Sequence, residues 1–366
     1  MNSIEYPPEG RTRTDPNTGV RVRQVTDHPS INHHPFYYLP AMDDAMRHLV
    51  FVSHRSGRPE IFVELQEDGT LVQLTDHEGL AEWSVHPSHD GRHVYFTDTG
   101  GGWRIEVGSR REEQLFSFDD GRTAIEGQVG AAMGTTTVSS DDRWWAVPVS
   151  FGDRSRMLVV DTASGAADYV LEADGIGHPE FHPDDAEWFR YAGSYQARIW
   201  VARRDGSRNR LAYERDAAAK EWIVHETWRP GTREIVTTQW PHGMIGIDVD
   251  TGKVRRVCSF NAWHAAISRD GSRLVSDTTF PDNGLMVFDA TDGVGEPQPL
   301  CASESSNEGA HWDTDHCPYD DGPTKVYAPQ HTHPHPAFSP DGRQVVFTSD
   351  RGGFAQVYVA EVRAAS

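Results

Sequence analysis

Residues 330–335 read QHTHPH and concentrate groups that bind metal ions. If this stretch opens a strand, side chains two residues apart lie on the same side of it, so His333 and His335 can chelate one ion. Gln330 precedes them and can add an amide oxygen. Imidazole nitrogens together with one oxygen suit a borderline divalent ion such as Mn²⁺, Fe²⁺, Ni²⁺ or Zn²⁺. The same residues also fit a polar strand start that binds no metal.

A repeat along the chain indicates where further imidazoles come from. A unit of strand, polar turn and strand, such as PAFSPDGRQVVFTS near the C-terminus, recurs seven times between residues 35 and 362. Counting six residues back from the turn aspartate, or its equivalent, gives His178, His225, His264 and His335 in four units and Ser84 and Thr135 in two others. Each of these histidines could instead be structural, because an imidazole at a strand start can satisfy backbone groups.

The spacing of the units is about 47 residues, which is near that of four-stranded propeller blades. We therefore predict an all-β fold, a seven-bladed β-propeller that forms a single domain over residues 1–366. The first strand of each blade should line the central channel, so the four histidines should meet at one end of it, with His264 as a third nitrogen ligand beside His333 and His335. Residues 303–329 form a long acidic connection that should overhang this end.

The last unit lacks a fourth strand, and the N-terminal region offers one. The sequence RQVTDH at residues 23–28 is similar to VQLTDH at residues 72–77, which follows the first unit. Residues 20–26 should therefore complete the seventh blade, which would tie the two ends of the chain together and leave fewer open strand edges. A disordered N-terminal tail is the alternative.

Composition narrows the partners and the compartment. The formal net charge of −21 argues against nucleic acid and anionic membrane surfaces, because both require a basic footprint. No run approaches the roughly 18 apolar residues of a membrane span, and the N-terminus has no apolar signal region. Three cysteines fit neither a disulfide framework nor a zinc knuckle. These features predict a cytoplasmic protein without membrane or nucleic-acid partners.

Several stretches together resemble the oligogalacturonate lyase family, seven-bladed propellers of pectin breakdown. They are Gln330 followed by His-Pro-His-Pro and a Phe-Ser-Pro-Asp turn, His-Glu-Thr-Trp at residues 225–228, and ARIWVARRDGS at residues 197–207. The resemblance extends from about residue 20 to residue 362. It implies a lyase that cleaves small anionic oligogalacturonates by β-elimination.

The resemblance also implies a cofactor and site residues. The cofactor is a divalent metal ion, manganese, with the ligands His264, Gln330, His333 and His335. The catalytic residues are His225, as the base, and Arg198. We further expect His34, His178 and His311 to bind substrate.

Alternatives remain for several of these residues and for the function. His34 and His311 could be polar loop residues, Arg198 could form a surface ion pair, and His242 is a rival to His225. The chain could be a metal-dependent enzyme of the same fold that acts on a keto-sugar or a different uronide. It could also be a non-enzymatic propeller that binds a partner.

Overall fold

The computed structural model describes residues 4–118, 134–291, 296–306, 316–322, 330 and 332–363. Within these ranges lie thirty short strands and two 3₁₀ turns, Glu82–Ser84 and Pro318–Asp320. The strands are β1 (Glu5–Tyr6), β2 (Arg11–Thr14), β3 (Arg21–Gln24), β4 (Asn32–His33), β5 (His48–Ser53), β6 (Glu60–Leu65), β7 (Leu71–Gln73), β8 (His86–Pro87), β9 (His93–Thr97), β10 (Gly101–Glu106), β11 (Glu112–Ser117), β12 (Thr137–Val138), β13 (Trp144–Phe151), β14 (Arg154–Asp161), β15 (Ala167–Ala173), β16 (Gly177–His182), β17 (Asp185–Ser194), β18 (Ala197–Arg203), β19 (Arg210–Leu211), β20 (Trp222–Trp228), β21 (Glu234–Trp240), β22 (Met244–Asp248), β23 (Val254–Cys258), β24 (Ala262–Ile267), β25 (Arg273–Thr278), β26 (Leu285–Asp289), β27 (Gln298–Cys301), β28 (Ala337–Phe338), β29 (Gln344–Ser349) and β30 (Gln356–Glu361).

The turn between β28 and β29 shows why the repeat folds in this way. The hydroxyl of Ser339 donates to Asp341, and the N–H of Gly342 donates to the carbonyl of Ser339 at 2.8 Å. Gly342 has a φ of 67°, which glycine adopts without steric cost. The strand that follows, QVVFTS, is rich in β-branched residues, which favour a pleated, half-buried surface.

In the described ranges, the strands form seven antiparallel sheets, which are the blades of the propeller. Blades 2 to 6 each contain four consecutive strands, from β8–β11 to β24–β27. Blade 1 contains β4–β7 with β1 at its edge, and blade 7 contains β28–β30 followed by β3 and β2. The predicted all-β, seven-bladed propeller is confirmed.

The N-terminal region closes blade 7, as the sequence predicted. β3 pairs with β30, with Arg23 opposite Val359, and β2 adds a further strand outside it. The preceding hairpin turn is fixed by Asp15, whose carboxylate accepts the N–H groups of Asn17 and Thr18 at 2.9 Å each. The sequence did not predict that β1 would pair with β7, so that the N-terminal region joins blade 1 as well as blade 7.

The hydrophobic core is divided among the seven contacts between neighbouring blades. Between blades 7 and 1, for example, Val346 and Val357 pack against Leu49, Phe51 and neighbouring side chains. Each of the other six blade contacts has a comparable buried cluster. Fully burying one such side chain stabilises the fold by about 1.5–3 kcal/mol, so the core holds every blade to both of its neighbours.

An aromatic plug, formed by Phe36, Tyr37 and Tyr38, fills the channel. In blade 1 the chain leaves the sheet after β4 and rejoins it only at the bridge between Met42 and Leu49. Phe36 and Tyr37 are fully buried, and the plug separates the histidine end of the channel from a cavity of about 400 Å³ at the opposite, turn-lined end. The repeat pattern gave no sign of this departure.

Three predictions about the whole chain are not decided by this architecture. Most of residues 303–329 lie outside the described ranges, so their position over the channel stays a prediction, as does a single domain over residues 1–366. Among the described residues, no helix has the length and apolar character needed to cross a membrane. The cytoplasmic location also stays a prediction.

Candidate active site

Three predicted ligands come together at the histidine end of the channel. One ring nitrogen from each of His264, His333 and His335 lies within 4.8 Å of the other two. The ring centroids of His264 and His335 are 4.2 Å apart, and those of His264 and His333 are 5.1 Å apart. His264 comes from blade 6 and the other two precede β28 of blade 7, so the cluster bridges two neighbouring blades.

Asp277 orients His264 within this cluster. The backbone N–H of His264 donates to one oxygen of the Asp277 carboxylate at 2.7 Å, and Nδ1 of its ring bonds to the other at 2.8 Å. Both side chains are buried. With Nδ1 donating to the carboxylate, Nε2 keeps its lone pair, which is the arrangement that a metal-binding histidine needs. No motif marked Asp277, because its position depends on the pairing of β24 with β25.

His34 supports His335 from behind. Its Nε2 donates to the backbone carbonyl of His335 at 2.7 Å, and its Nδ1 lies 2.9 Å from the hydroxyl of Thr348. His34 is fully buried, and this burial lowers its pKa to about 4. The structure therefore places His34 beneath the cluster with both ring nitrogens bonded inside the protein. Its predicted contact with substrate stays a prediction.

The side-chain amide of Gln330 bonds to the turn that precedes β30. Its side-chain oxygen accepts the backbone N–H of Ala355 at 3.0 Å, and its side-chain nitrogen lies 3.3 Å from the carbonyl of Gly353. An amide oxygen has a second lone pair, so this bond leaves one acceptor position. Its role as a metal ligand stays a prediction.

His225 lies next to the cluster on the side of blade 5. Its ring centroid is 4.2 Å from that of His264, and its Nδ1 donates to the carbonyl of Trp263 at 3.0 Å. Burial, reinforced by the neighbouring His264 and Arg198, holds the pKa of His225 well below its ordinary value. The imidazole is therefore neutral at neutral pH, with its lone pair on Nε2.

Arg198 and His178 form a buried pair in blade 4. Nε of Arg198 donates to the Glu226 carboxylate at 2.6 Å, and Nη2 donates to Nδ1 of His178 at 3.1 Å. Burial would lower the pKa of Arg198, but Glu226, together with Tyr195 and Tyr37, raises that pKa above its usual range. Because Nδ1 of His178 accepts, its proton lies on Nε2, which has no hydrogen-bond partner among the described residues. This buried donor is available to a ligand.

A second arginine, Arg190, anchors this pair, and its role was not predicted from the sequence. Its guanidinium donates to the backbone carbonyl of His178 at 2.6 Å and to that of Glu226. It also donates to the Glu180 carboxylate at 2.8 Å and lies 4.6 Å from the ring of Tyr38. Arg190 is fully buried, so it fixes the backbone that carries His178. The one sequence feature that points to Arg190 is its charge, which stands between Phe189 and Tyr191 in the predicted strand.

The four histidines at the shared register lie where their strands are irregular. His178, His225 and His335 have φ values of 46°, 57° and 46°, in the left-handed region. The pairing of β16, β20 and β24 with the next strand is interrupted by a bulge at the histidine. Such backbone costs about 1–3 kcal/mol per residue and re-aims a side chain, which is why it concentrates at functional sites.

Of two further candidates, the structure describes only one. His311, which the sequence suggested as a substrate-binding residue, lies outside the described residues. His242, the rival to His225, is an exposed residue in the turn between β21 and β22. This turn joins the second and third strands of blade 5, whereas His225 lies on the first strand of that blade.

Comparison of the sequence with known proteins identifies related enzymes. A sequence profile of the oligogalacturonate lyase family matches residues 7–366. An oligogalacturonide lyase of Pectobacterium atrosepticum is 24% identical over 394 aligned positions, which cover 96% of this chain and 95% of that protein.

Solved structures share the fold. An oligogalacturonate lyase from Vibrio parahaemolyticus superimposes with a TM-score of 0.81 at 21% identity and covers 99% of both chains. An oligogalacturonate lyase in complex with manganese gives a TM-score of 0.82 at 20% identity and covers 99% of this chain and 98% of that one. Because the family profile matches almost the whole length, this chain belongs to the oligogalacturonate lyase family.

Proposed function

We propose that this protein is a divalent-metal-dependent lyase that cleaves oligogalacturonates by β-elimination. The observation that carries the proposal is the convergence of His264, His333 and His335, with the neutral ring of His225 beside them. Membership of the family supports the reaction, and the manganese complex of a protein with the same fold supports the cofactor.

The residues present fit a divalent ion. His264, His333 and His335 offer three imidazole nitrogens, which suit Mn²⁺ and other borderline ions. Asp277 directs the lone pair of His264 away from the carboxylate and towards the cluster. When bound, a divalent ion supplies positive charge to the substrate carboxylate, which makes the proton on the adjacent carbon more acidic.

His225 is the proposed base. Its Nδ1 is occupied by Trp263, and its lowered pKa leaves Nε2 unprotonated at neutral pH. Nε2 takes the proton from the carbon α to the carboxylate. The electron pair of that C–H bond then forms a double bond to the β carbon, whose bond to the glycosidic oxygen breaks. The departing oxygen takes a proton from water, and His225 then returns its proton to solvent.

Arg198 and His178 are the proposed contacts for the negative charge of the substrate. Arg198 keeps its positive charge because Glu226 raises its pKa, and a guanidinium pairs well with a carboxylate. Nε2 of His178, which has no hydrogen-bond partner among the described residues, is the second proposed donor. A buried donor that is already oriented stabilises developing charge more than an exposed one.

A substrate panel tests the proposal. The purified protein with Mn²⁺ is incubated with di- and trigalacturonate, with other uronides and with neutral oligosaccharides, and the absorbance of the unsaturated uronate product is followed. We expect product from the galacturonates only. Product from another uronide alone would overturn the sugar assignment, and no product from any uronide would favour a binding module.

A further inference from the structure

A second group of metal-binding side chains lies outside the site described above. One ligand atom from each of His33, His54 and Glu82 lies within 4.8 Å of the other two. Nε2 of His54 is 2.8 Å and Nε2 of His33 is 3.1 Å from the same carboxylate oxygen of Glu82. Two imidazoles and one carboxylate thus point at a common position.

Strand pairing in blade 1 assembles this group at the histidine end of the channel. His33 ends β4, and His54 directly follows Ser53, which pairs with Asn32 across the two strands. Trp83 separates the group from the first cluster, because its ring centroid is 4.5 Å from that of His33 and 5.5 Å from that of His335. The two groups are neighbours that share no side chain.

The hydrogen bonding of His33 requires either a metal ion or a second proton between its Nε2 and the Glu82 carboxylate. Its Nδ1 is 3.0 Å from the carbonyl of His34, and a carbonyl can only accept, so Nδ1 carries a proton. In a neutral imidazole, Nε2 then has a lone pair, and this lone pair faces the Glu82 carboxylate at 3.1 Å. Two acceptors repel each other at this distance unless a metal ion or a second proton lies between them.

We propose that His33, His54 and Glu82 bind a second divalent metal ion. The backbone carbonyl that holds Nδ1 of His33 is the kind of outer contact that orients metal-binding histidines. His54 and Glu82 are 24% and 16% exposed in their side chains, so an ion from solvent can reach the group. Two nitrogens and a carboxylate oxygen suit Zn²⁺ and the neighbouring transition-metal ions.

Metal stoichiometry tests this inference independently of any activity. The protein is stripped with a chelator, equilibrated with Zn²⁺, freed of unbound metal and analysed for metal and protein content. We expect two ions per chain in the unaltered protein. His54→Ala and Glu82→Gln should each bind one fewer ion, and His333→Ala, which weakens the first cluster, should keep the second ion.

His48→Ala is the matched control. His48 begins β5, whereas His54 directly follows Ser53, the last residue of the same strand. It should bind as many ions as the unaltered protein. Because His54 and Glu82 are partly exposed, their variants should fold, and unchanged circular dichroism would verify this. An ion count that His54→Ala and Glu82→Gln leave unchanged would overturn the inference and assign the group to a protonated ion pair. The lyase assay could fail without affecting this result.

Discussion

The two sides of the histidine end hold their imidazoles in different ways. On the side of blades 6 and 7, each ring or backbone has its own support: Asp277 bonds His264, and His34 bonds the carbonyl of His335. On the side of blades 4 and 5, His178 belongs to one charged network in which Arg198 and Arg190 share Glu226.

This difference shows how one structural position can serve two kinds of chemistry. The histidines occupy the same register of the repeat, and three of them share a left-handed backbone. What differs is the partner of each ring. An acceptor on Nδ1 leaves a lone pair on Nε2, which suits a ligand or a base, whereas the arginine that donates to Nδ1 of His178 leaves an N–H, which suits an anion.

The largest effect should follow removal of the base. We expect His225→Ala to lower kcat on digalacturonate by about 10²–10⁴-fold, because proton abstraction loses its acceptor. Metal content should remain unchanged. His242→Ala is the control from the same blade and should keep nearly full activity. Full activity in His225→Ala would remove His225 from the mechanism.

Glu226→Gln should break the charged network of blades 4 and 5. It leaves two buried arginines without their shared carboxylate, and breaking a buried pair costs about 3–5 kcal/mol of the free energy of unfolding. Urea denaturation measures this change. The control is Glu187→Gln, whose carboxylate pairs with Arg203 and Arg204 and is 48% exposed, and which should change stability by about 1 kcal/mol or less. Equal effects of the two substitutions would contradict the network.

Asp277→Asn should act on the other side, through metal affinity. An asparagine amide can donate to Nδ1 of His264, which would move the imidazole proton to Nε2 and block the lone pair. We expect binding of Mn²⁺ to weaken by about 10–100-fold, as is typical for loss of an outer contact. Calorimetric titration measures this, with Asp270→Asn in the surface turn of the same blade as control. Unchanged affinity would show that the carboxylate does not orient the ligand.

A smaller effect should appear in the pH dependence of stability. Burial lowers the pKa of His34 to about 4 and that of His86 to about 3. In the unfolded chain both titrate near 6.5, so below this pH the unfolded state binds more protons and the folded state loses stability.

Each of these two histidines should therefore lower the free energy of unfolding of the metal-free protein by about 1 kcal/mol per pH unit below pH 6.5, down towards its folded pKa. Urea denaturation between pH 7.5 and 5.5 measures the slope. His86→Gln, in blade 2 and away from the site, should reduce this slope by about 1 kcal/mol per pH unit. If the substitution left the slope unchanged, the lowered pKa of His86 in the folded protein would be contradicted.

The fold was largely predictable because it depends on a repeat. Strand spacing and turn residues predicted the blades, and the similarity of residues 23–28 to residues 72–77 predicted the closing strand. The convergence of His264 with His333 and His335 was predictable for the same reason, since a repeated register places equivalent residues around one axis.

The supporting contacts were not predictable, because they depend on irregular backbone. Asp277 reaches His264 only across a bulge between β24 and β25. Arg190 acts through backbone carbonyls, which carry no sequence signal. The aromatic plug forms where blade 1 departs from the repeat, so the repeat pattern could not predict it.

The central claim is that catalysis requires a divalent ion at the cluster of His264, His333 and His335. The most direct test is turnover of digalacturonate by chelator-stripped protein, before and after Mn²⁺ is restored, in the unaltered chain and in His333→Ala. We predict that the stripped protein is inactive, that Mn²⁺ restores the unaltered chain, and that His333→Ala recovers little or no activity at the same Mn²⁺ concentration. Full turnover by the stripped protein, with no response to added metal, would contradict the account.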